Sequence, residues 1–106
     1  MTEIESTILS DIAESLAIPE DGVLSRVLFR DDDIRVVGFA FDTGQELTEH
    51  TAALPVIIQV LSGRFRFTAG DETSEIGSES WIHLEASAPH SLVALEPSRL
   101  LLTLLS

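Results

Sequence analysis

Cysteine and lysine are absent from this chain of 106 residues. Without cysteine there is no disulfide, no thiolate metal ligand and no thiol redox chemistry. A domain of this length buries enough apolar surface to be stable without such cross-links. All six basic residues are arginine, and 18 acidic residues bring the formal net charge to -12. The composition therefore predicts that neither nucleic acid nor an anionic membrane is a partner, because contact would begin with electrostatic repulsion.

Long hydrophobic runs are also missing from the sequence. The longest aliphatic run, at residues 100–105, is interrupted by Thr103 and is far shorter than the ~20 residues of a membrane-spanning helix. Residues 1–5 include acidic side chains where a secretory signal has a basic region followed by an apolar one, which predicts a cytoplasmic location. Hydrophobic residues make up 44% of the chain, enough to predict one folded domain and not a disordered chain.

The first 22 residues contain apolar side chains at helical spacing. These side chains are Ile4, Ile8, Leu9, Ile12 and Leu16. Pro19 and Gly22 follow them, and both residue types are common where helices end. The pattern predicts a short N-terminal helix within residues 1–22.

After residue 22 the helical spacing gives way to short segments rich in Val, Ile, Leu and Phe, separated by turns that contain Asp, Gly and Ser. The eight segments are 23–29, 34–41, 46–50, 56–61, 64–68, 80–84, 90–95 and 100–105. Short strands at this density are typical of an antiparallel sandwich or a small barrel. The sequence therefore predicts an all-β fold, with the barrel over residues 23–106.

Residues 44–94 resemble the two short motifs of the cupin superfamily. Gly44 is followed after five residues by His50, Gly63 closes the first motif at the family spacing, and Pro89-His90 matches the second motif. The resemblance implies a single-domain cupin of the type-2, RmlC-like kind, whose barrel is a double-stranded β-helix, or jelly roll. Proteins on this fold have many unrelated activities, so the fold does not name a reaction.

In the cupin family, four side chains converge on one divalent metal inside the barrel. The resemblance places these four positions at His50, Ala52, Val56 and His90. Two imidazoles suit a transition metal such as Zn, Ni or Fe, but a catalytic site usually has three protein donors. A third donor could come from residues that strand alternation places near the histidines. The candidates are Glu46 and Thr48, on the expected face of His50, and His83 and Glu85, on the expected face of Trp81.

Four further positions of the second motif depart from the family. The family has glycine, proline, glycine and asparagine where this chain has Glu79, Glu85, Ser87 and Ala94. These departures leave open whether the loops around the second motif keep the family geometry.

Two function classes follow from this reduced ligand set. The first is a small-molecule-binding module with a degenerate metal site, in which no catalytic residue is identified. Its predicted pocket consists of His50, His90, Val56, Ile58, Val60 and Trp81. The second is a metal-dependent enzyme of the dioxygenase or isomerase type that uses the two histidines and one adapted donor. A purely structural role is a third alternative.

The C-terminal segment also predicts a partner. A half-buried strand alternates apolar and polar residues, whereas Leu100, Leu101, Leu102, Leu104 and Leu105 present leucine to both faces of their strand. Such a strand is expected to be covered on its outer face. We therefore expect a homodimer, an arrangement that the cupin resemblance also implies.

Overall fold

In the described part of the chain, nine strands form two antiparallel sheets with the hydrophobic core between them. The computed structural model describes residues 5–50 and 52–106, and of Glu49 and His50 it describes the backbone alone. The strands are β1 (Val23–Arg30), β2 (Ile34–Phe41), β3 (Glu46–His50), β4 (Val56–Ser62), β5 (Arg64–Ala69), β6 (Glu72–Gly77), β7 (Trp81–Leu84), β8 (His90–Ala94) and β9 (Ser98–Leu105). One sheet has the order β1-β2-β9-β4-β7 and the other β3-β8-β5-β6. The predicted all-β barrel is confirmed.

Alternation within the strands decides which side chains enter the core. In β5, Phe65 and Phe67 are buried while Arg64 and Arg66 are exposed, as expected for a strand with one face toward solvent. The ring of Phe65 meets that of Phe41 edge to face, with centroids 5.2 Å apart and an interplanar angle of 83°, a favoured geometry for aromatic pairs. This contact joins the two sheets, because Phe41 belongs to β2 and Phe65 to β5.

The C-terminal strand β9 lies at the centre of the five-stranded sheet. It pairs with β2 on one side and with β4 on the other, so that Leu102 faces Val37 and Ile58 across the two ladders. Leu100 and Leu102 are buried, whereas Leu101 is only half-buried. The leucine-rich segment therefore contributes one row of side chains to the core and a second row to the outer face of the sheet.

The predicted N-terminal helix is wrong, since the described part of this segment contains a single 3₁₀ turn at Ala13–Ser15. Asp11 has a φ of 55°, which a continuous right-handed helix does not tolerate, and the Ile8 side chain is 83% exposed. Leu16 instead anchors the segment, because it is fully buried against the sheet. A Cβ placed on Gly38 would lie 2.7 Å from Leu16 Cδ1, so the glycine makes room for this contact.

The sequence pattern also missed one strand, β6, which occupies an edge of the four-stranded sheet. β6 pairs with β5 over six residues, but its first four side chains are exposed. An edge strand of this kind has no alternating apolar row for a sequence pattern to reveal. Among residues 5–50 and 52–106, no helix has the length and apolar character needed to cross a membrane.

Candidate functional site

Of the two histidine side chains that the structure describes, only that of His90 is buried, with 3% of its surface exposed. Its Nδ1 lies 3.0 Å from the carbonyl oxygen of Ala88, and its ring lies against Phe67 with centroids 6.4 Å apart. A carbonyl oxygen only accepts hydrogen bonds, so Nδ1 carries the hydrogen and, in the neutral ring, Nε2 carries the lone pair. Nε2 is thus the nitrogen with the chemistry to accept a hydrogen bond or bind a metal.

The backbone register brings position 50 directly opposite His90. In the ladder between β3 and β8, Leu47 pairs with Leu92 and His50 pairs with His90. Between these two pairs, β3 has two residues where β8 has one, and the extra residue forms a β-bulge in β3. The side chain of His50 lies outside the described residues, but directly paired positions share one face of a sheet. The two histidine positions of the family motifs are cross-strand neighbours.

The same bulge corrects the predicted placement of Glu46 and Thr48. Simple alternation put both on the face of His50, but one extra residue between Leu47 and His50 reverses the alternation. Leu47 packs against the core, whereas Glu46 and Thr48 are exposed. Glu46 therefore lies on the outer face and does not supply a third donor beside His90.

A second correction concerns Trp81, His83 and Glu85. In β7 the inward side chains are Ile82 and Leu84, which pack in the core, so alternation turns Trp81 and His83 outward. Trp81 is 59% exposed, and its ring stacks with that of His83 at a centroid distance of 6.4 Å. Glu85 follows the strand and is exposed. The structure therefore separates Trp81 from the other predicted pocket residues, and His83 and Glu85 from His90.

The two family ligand positions that lack a donor lie on the inward side of the barrel. Val56 is 1% exposed, and Ala52 packs against the core. The carbonyl oxygen of Ala52 accepts the backbone N–H of Ser87 at 2.7 Å, which ties this position to the loop before β8. Both residues offer only hydrocarbon where the family has an imidazole and a carboxylate.

The remaining predicted pocket residues, Ile58 and Val60, continue the inward row of β4 from Val56. They are 1% and 3% exposed and belong to the same core cluster. Their side chains pack in the interior along β4, and do not line either of two surface clefts described by the structure. The larger cleft, about 540 Å³, lies between residues 5–9 and the outer side of β1 and β2.

The smaller cleft, about 240 Å³, opens at the end of the barrel that contains Val56. One of its walls is Leu104, which pairs with Val56 in one ladder and with Arg35 in the other. Arg30 also lines the cleft and is the cross-strand partner of Arg35. The sequence analysis did not identify these two arginines as residues of a cleft. The sequence feature that could have indicated them is a pair of cations on either side of an acidic turn, in a chain of charge -12.

The acidic turn between Arg30 and Arg35 is ordered by its own carboxylate. Asp31 Oδ1 accepts the backbone N–H groups of Asp33 at 2.8 Å and of Ile34 at 2.9 Å. Both hydrogen bonds lower the pKa of the Asp31 carboxyl below its usual 3.8, and the hydrogen bond from the Ile34 N–H has the larger effect. Asp31 is therefore ionised at neutral pH, and its carboxylate stabilises the turn by accepting these two hydrogen bonds.

The donor set at the family metal position does not fit a resident catalytic metal. Within the described part of the chain, no three His, Asp or Glu side chains come together as a metal site. A buried divalent cation needs about three protein donors and compensating charge, whereas Ala52 and Val56 supply neither.

The loops of the second motif have left-handed backbone conformations at two positions where the family has glycine and this chain does not. Glu79 has a φ of 71° and Ser87 a φ of 66°, in the region that favours glycine. Gly63 of the first motif has a φ of 84°, and a Cβ there would lie 2.6 Å from the carbonyl oxygen of Pro97. At these two positions the backbone therefore has a conformation that glycine favours, although the residues are Glu and Ser.

Comparison with known proteins gives matches among solved structures. No protein-family model and no curated protein matches the chain. A conserved protein of unknown function from Streptococcus pyogenes is 30% identical, with a TM-score of 0.85, and the alignment covers 99% of this chain and 92% of that one. Sequence identity and coverage of this extent indicate common descent.

Two further solved structures show the same fold at lower identity. A cupin superfamily protein from Desulfitobacterium hafniense has a TM-score of 0.84 at 20% identity and covers 96% of this chain and 93% of its own. An RmlC-like cupin from Desulfovibrio desulfuricans has a TM-score of 0.79 at 22% identity and covers 97% of both chains. The likeness extends over nearly the whole chain, beyond the segment that contains the two motifs.

Proposed function

We propose that this chain, which has the fold of cupin superfamily proteins, is a small-molecule-binding module with a degenerate metal site. The observation that carries the proposal is that Ala52 and Val56, at two positions that hold metal donors in the family, have inward hydrocarbon side chains, while the imidazole of His90 is buried. An apolar wall with one oriented hydrogen-bonding group is a common composition for small-ligand sites.

The ligand is expected to be small, because Val56, Ile58 and Val60 are buried and pack together in the interior along β4. Within the site, His90 Nε2 would accept a hydrogen bond from the ligand while Ala88 holds the ring orientation through Nδ1. The role proposed for His90 is thus recognition of the ligand by an imidazole whose orientation is held by Ala88.

NMR titration with a panel of small organic acids and alcohols, from acetate to propanol, tests this proposal. Binding should shift the signals of Ala52, Val56 and His90, and His90→Ala should abolish the shifts. His83→Ala is the matched control, since His83 is a histidine on the exposed face of β7. Shifts that persist in His90→Ala, or that His83→Ala removes equally, would contradict the proposal.

A metal-dependent enzyme of the dioxygenase or isomerase type is the alternative, favoured by the direct pairing of positions 50 and 90. The two functions differ in metal content. Elemental analysis of protein purified without chelator or nickel affinity steps should find clearly less than one transition metal per chain if the binding module is correct. One tightly held metal per chain would favour the enzyme.

A further inference from the structure

The cleft of about 240 Å³ beside Leu104 is lined by equal numbers of cationic and anionic side chains. The cations are Arg30 and Arg35, and the anions are Asp31 and Asp32. The chain as a whole has 18 acidic residues against six basic ones, so this balance of charge is unlike its average composition. A ligand that carries one charge of each sign would find an opposite charge for both.

The two arginines share one face of the five-stranded sheet. Arg30 lies directly opposite Arg35 in the ladder of β1 and β2, and Arg35 lies opposite Leu104 in the next ladder. Like charges in direct opposition destabilise a sheet. Within the described part of the chain, the only ion pair joins Arg64 to Glu75. The guanidinium groups of Arg30 and Arg35 therefore keep their donors for an anion from outside, which would also relieve their mutual repulsion.

The two acidic side chains of the cleft differ in what they already bind. Asp31 Oδ1 accepts the backbone N–H groups of Asp33 and Ile34 and is committed to the turn. Asp32 accepts a hydrogen bond of 2.7 Å from Ser106 Oγ through its carbonyl oxygen, and its carboxylate makes no hydrogen bond with the described residues. The Asp32 carboxylate is thus the anion of the cleft that is available to a cationic group.

Hydrogen bonds between three segments hold the walls of this cleft together. Ser106 donates to the Asp33 carbonyl oxygen through both its N–H and its Oγ, each at 2.9 Å, which ties the turn to the end of β9. The N–H of Leu105 donates to the Pro55 carbonyl oxygen at 3.0 Å, which ties β9 to the segment that contains Leu54. The cleft is therefore formed before a ligand arrives, and binding requires little further ordering of the chain.

The rest of the lining is mainly aliphatic. Ile34, Leu54 and Leu104 line the cleft; Leu54 is 38% exposed, and the other two are half-buried. A ligand with a hydrocarbon part would remove this apolar surface from water. The cleft is also smaller than the roughly 300–1,000 Å³ of ordinary ligand pockets, which favours a ligand of few atoms.

We propose that this cleft binds a small zwitterion with an aliphatic side chain, which is the chemistry of a free α-amino acid such as valine. Arg30 and Arg35 donate to its carboxylate, and its ammonium group donates to the Asp32 carboxylate. Its side chain packs on Leu54 and Leu104. This site is separate from the one proposed around His90, because β9 lies between the strand of Arg35 and β4, so either proposal can fail without the other.

NMR titration of the intact chain with valine, up to about 20 mM, tests the proposal. The backbone signals of Arg30, Leu54 and Leu104 should shift and saturate. Three analogues each remove one feature of valine: isovalerate lacks the ammonium group, isobutylamine lacks the carboxylate, and glycine lacks the side chain. Each analogue should bind at least about 10-fold more weakly than valine, since each leaves part of the cleft without its partner.

Arg35→Gln and Asp32→Asn should each weaken valine binding at least about 10-fold, because each removes one of the two charges that hold the ligand. Arg66→Gln and Asp71→Asn are the matched controls, since both make the same change at exposed positions outside the cleft. No saturable shift with valine would overturn the proposal, as would equal binding of any of the three analogues or undiminished binding in Arg35→Gln and Asp32→Asn. If circular dichroism shows that a variant is unfolded, the analogue series on the wild-type protein decides.

Discussion

Restoring the two family donors is the most informative perturbation of this barrel. The double variant Ala52→His, Val56→Glu places an imidazole and a carboxyl on the inward side of the barrel. Val56 is 1% exposed, so without metal the new carboxyl has a raised pKa or remains an uncompensated buried charge. We expect the metal-free variant to be less stable than the wild type by about 3–5 kcal/mol.

Zinc should reverse this loss if positions 50, 52, 56 and 90 converge as the cupin resemblance implies; the register shows the pairing of positions 50 and 90. A ligand that binds only the folded state at about 1,000 times its Kd stabilises that state by ~4 kcal/mol. For a domain of about this size, each kcal/mol shifts the Tm by roughly 4–8 °C. Thermal unfolding at pH 7, followed by circular dichroism with EDTA or with excess Zn²⁺, should therefore differ by about 20 °C for the double variant.

Val60→Glu is the matched control, because Val60 lies on the same inward row of β4 and is 3% exposed. The carboxyl there should destabilise the protein by a similar amount, but zinc should not restore the Tm. Wild-type protein should respond little to zinc, since it lacks the donors at Ala52 and Val56. Equal rescue of Val60→Glu, or no rescue of the double variant, would refute the proposed convergence of the four positions.

Three other perturbations test separate parts of the structure. Glu79→Gly and Ser87→Gly should each raise the free energy of unfolding by up to about 1 kcal/mol in urea denaturation, because both positions have positive φ; a clear loss of stability would contradict the left-handed conformations. Moderate NaCl should raise the Tm modestly by screening repulsion within a chain of charge -12, and a flat or falling Tm would argue against such repulsion. Hydrogen bonds from backbone N–H groups, mainly that of Ile34 to Asp31 and that of Asp21 to Asp42, lower the pKa of both carboxyls below 3.8. The two ionised carboxylates therefore stabilise the folded state above pH 3.8, and this contribution is lost as the pH falls through the folded-state pKa. Acid titration of unfolding should accordingly be shallower in Asp31→Asn and Asp42→Asn, and an unchanged slope would count against these hydrogen bonds.

The sequence by itself determined the elements whose signal is local. The alternation of apolar and polar residues in segments such as β5, together with the turns between the segments, was enough to predict every described strand except β6. Alternation of this kind indicates which side chains are buried. The spacing from Gly44 to His50 and the dipeptide Pro89-His90 were enough to predict the cupin fold. The loss of the metal donors at Ala52 and Val56 could also be predicted, since it depends only on residue identity at two motif positions.

Tertiary structure alone decided what depends on partners distant in the chain. The helical spacing near Leu16 did not produce a helix, because Leu16 is buried against Gly38 while the Ile8 side chain has no core to enter. The bulge in β3 reversed the alternation between Glu46 and His50, and only the pairing with β8 reveals it. Trp81 lies outside for a comparable reason: which face of β7 meets the core is set by the strand beside it, and a sequence pattern does not contain that information.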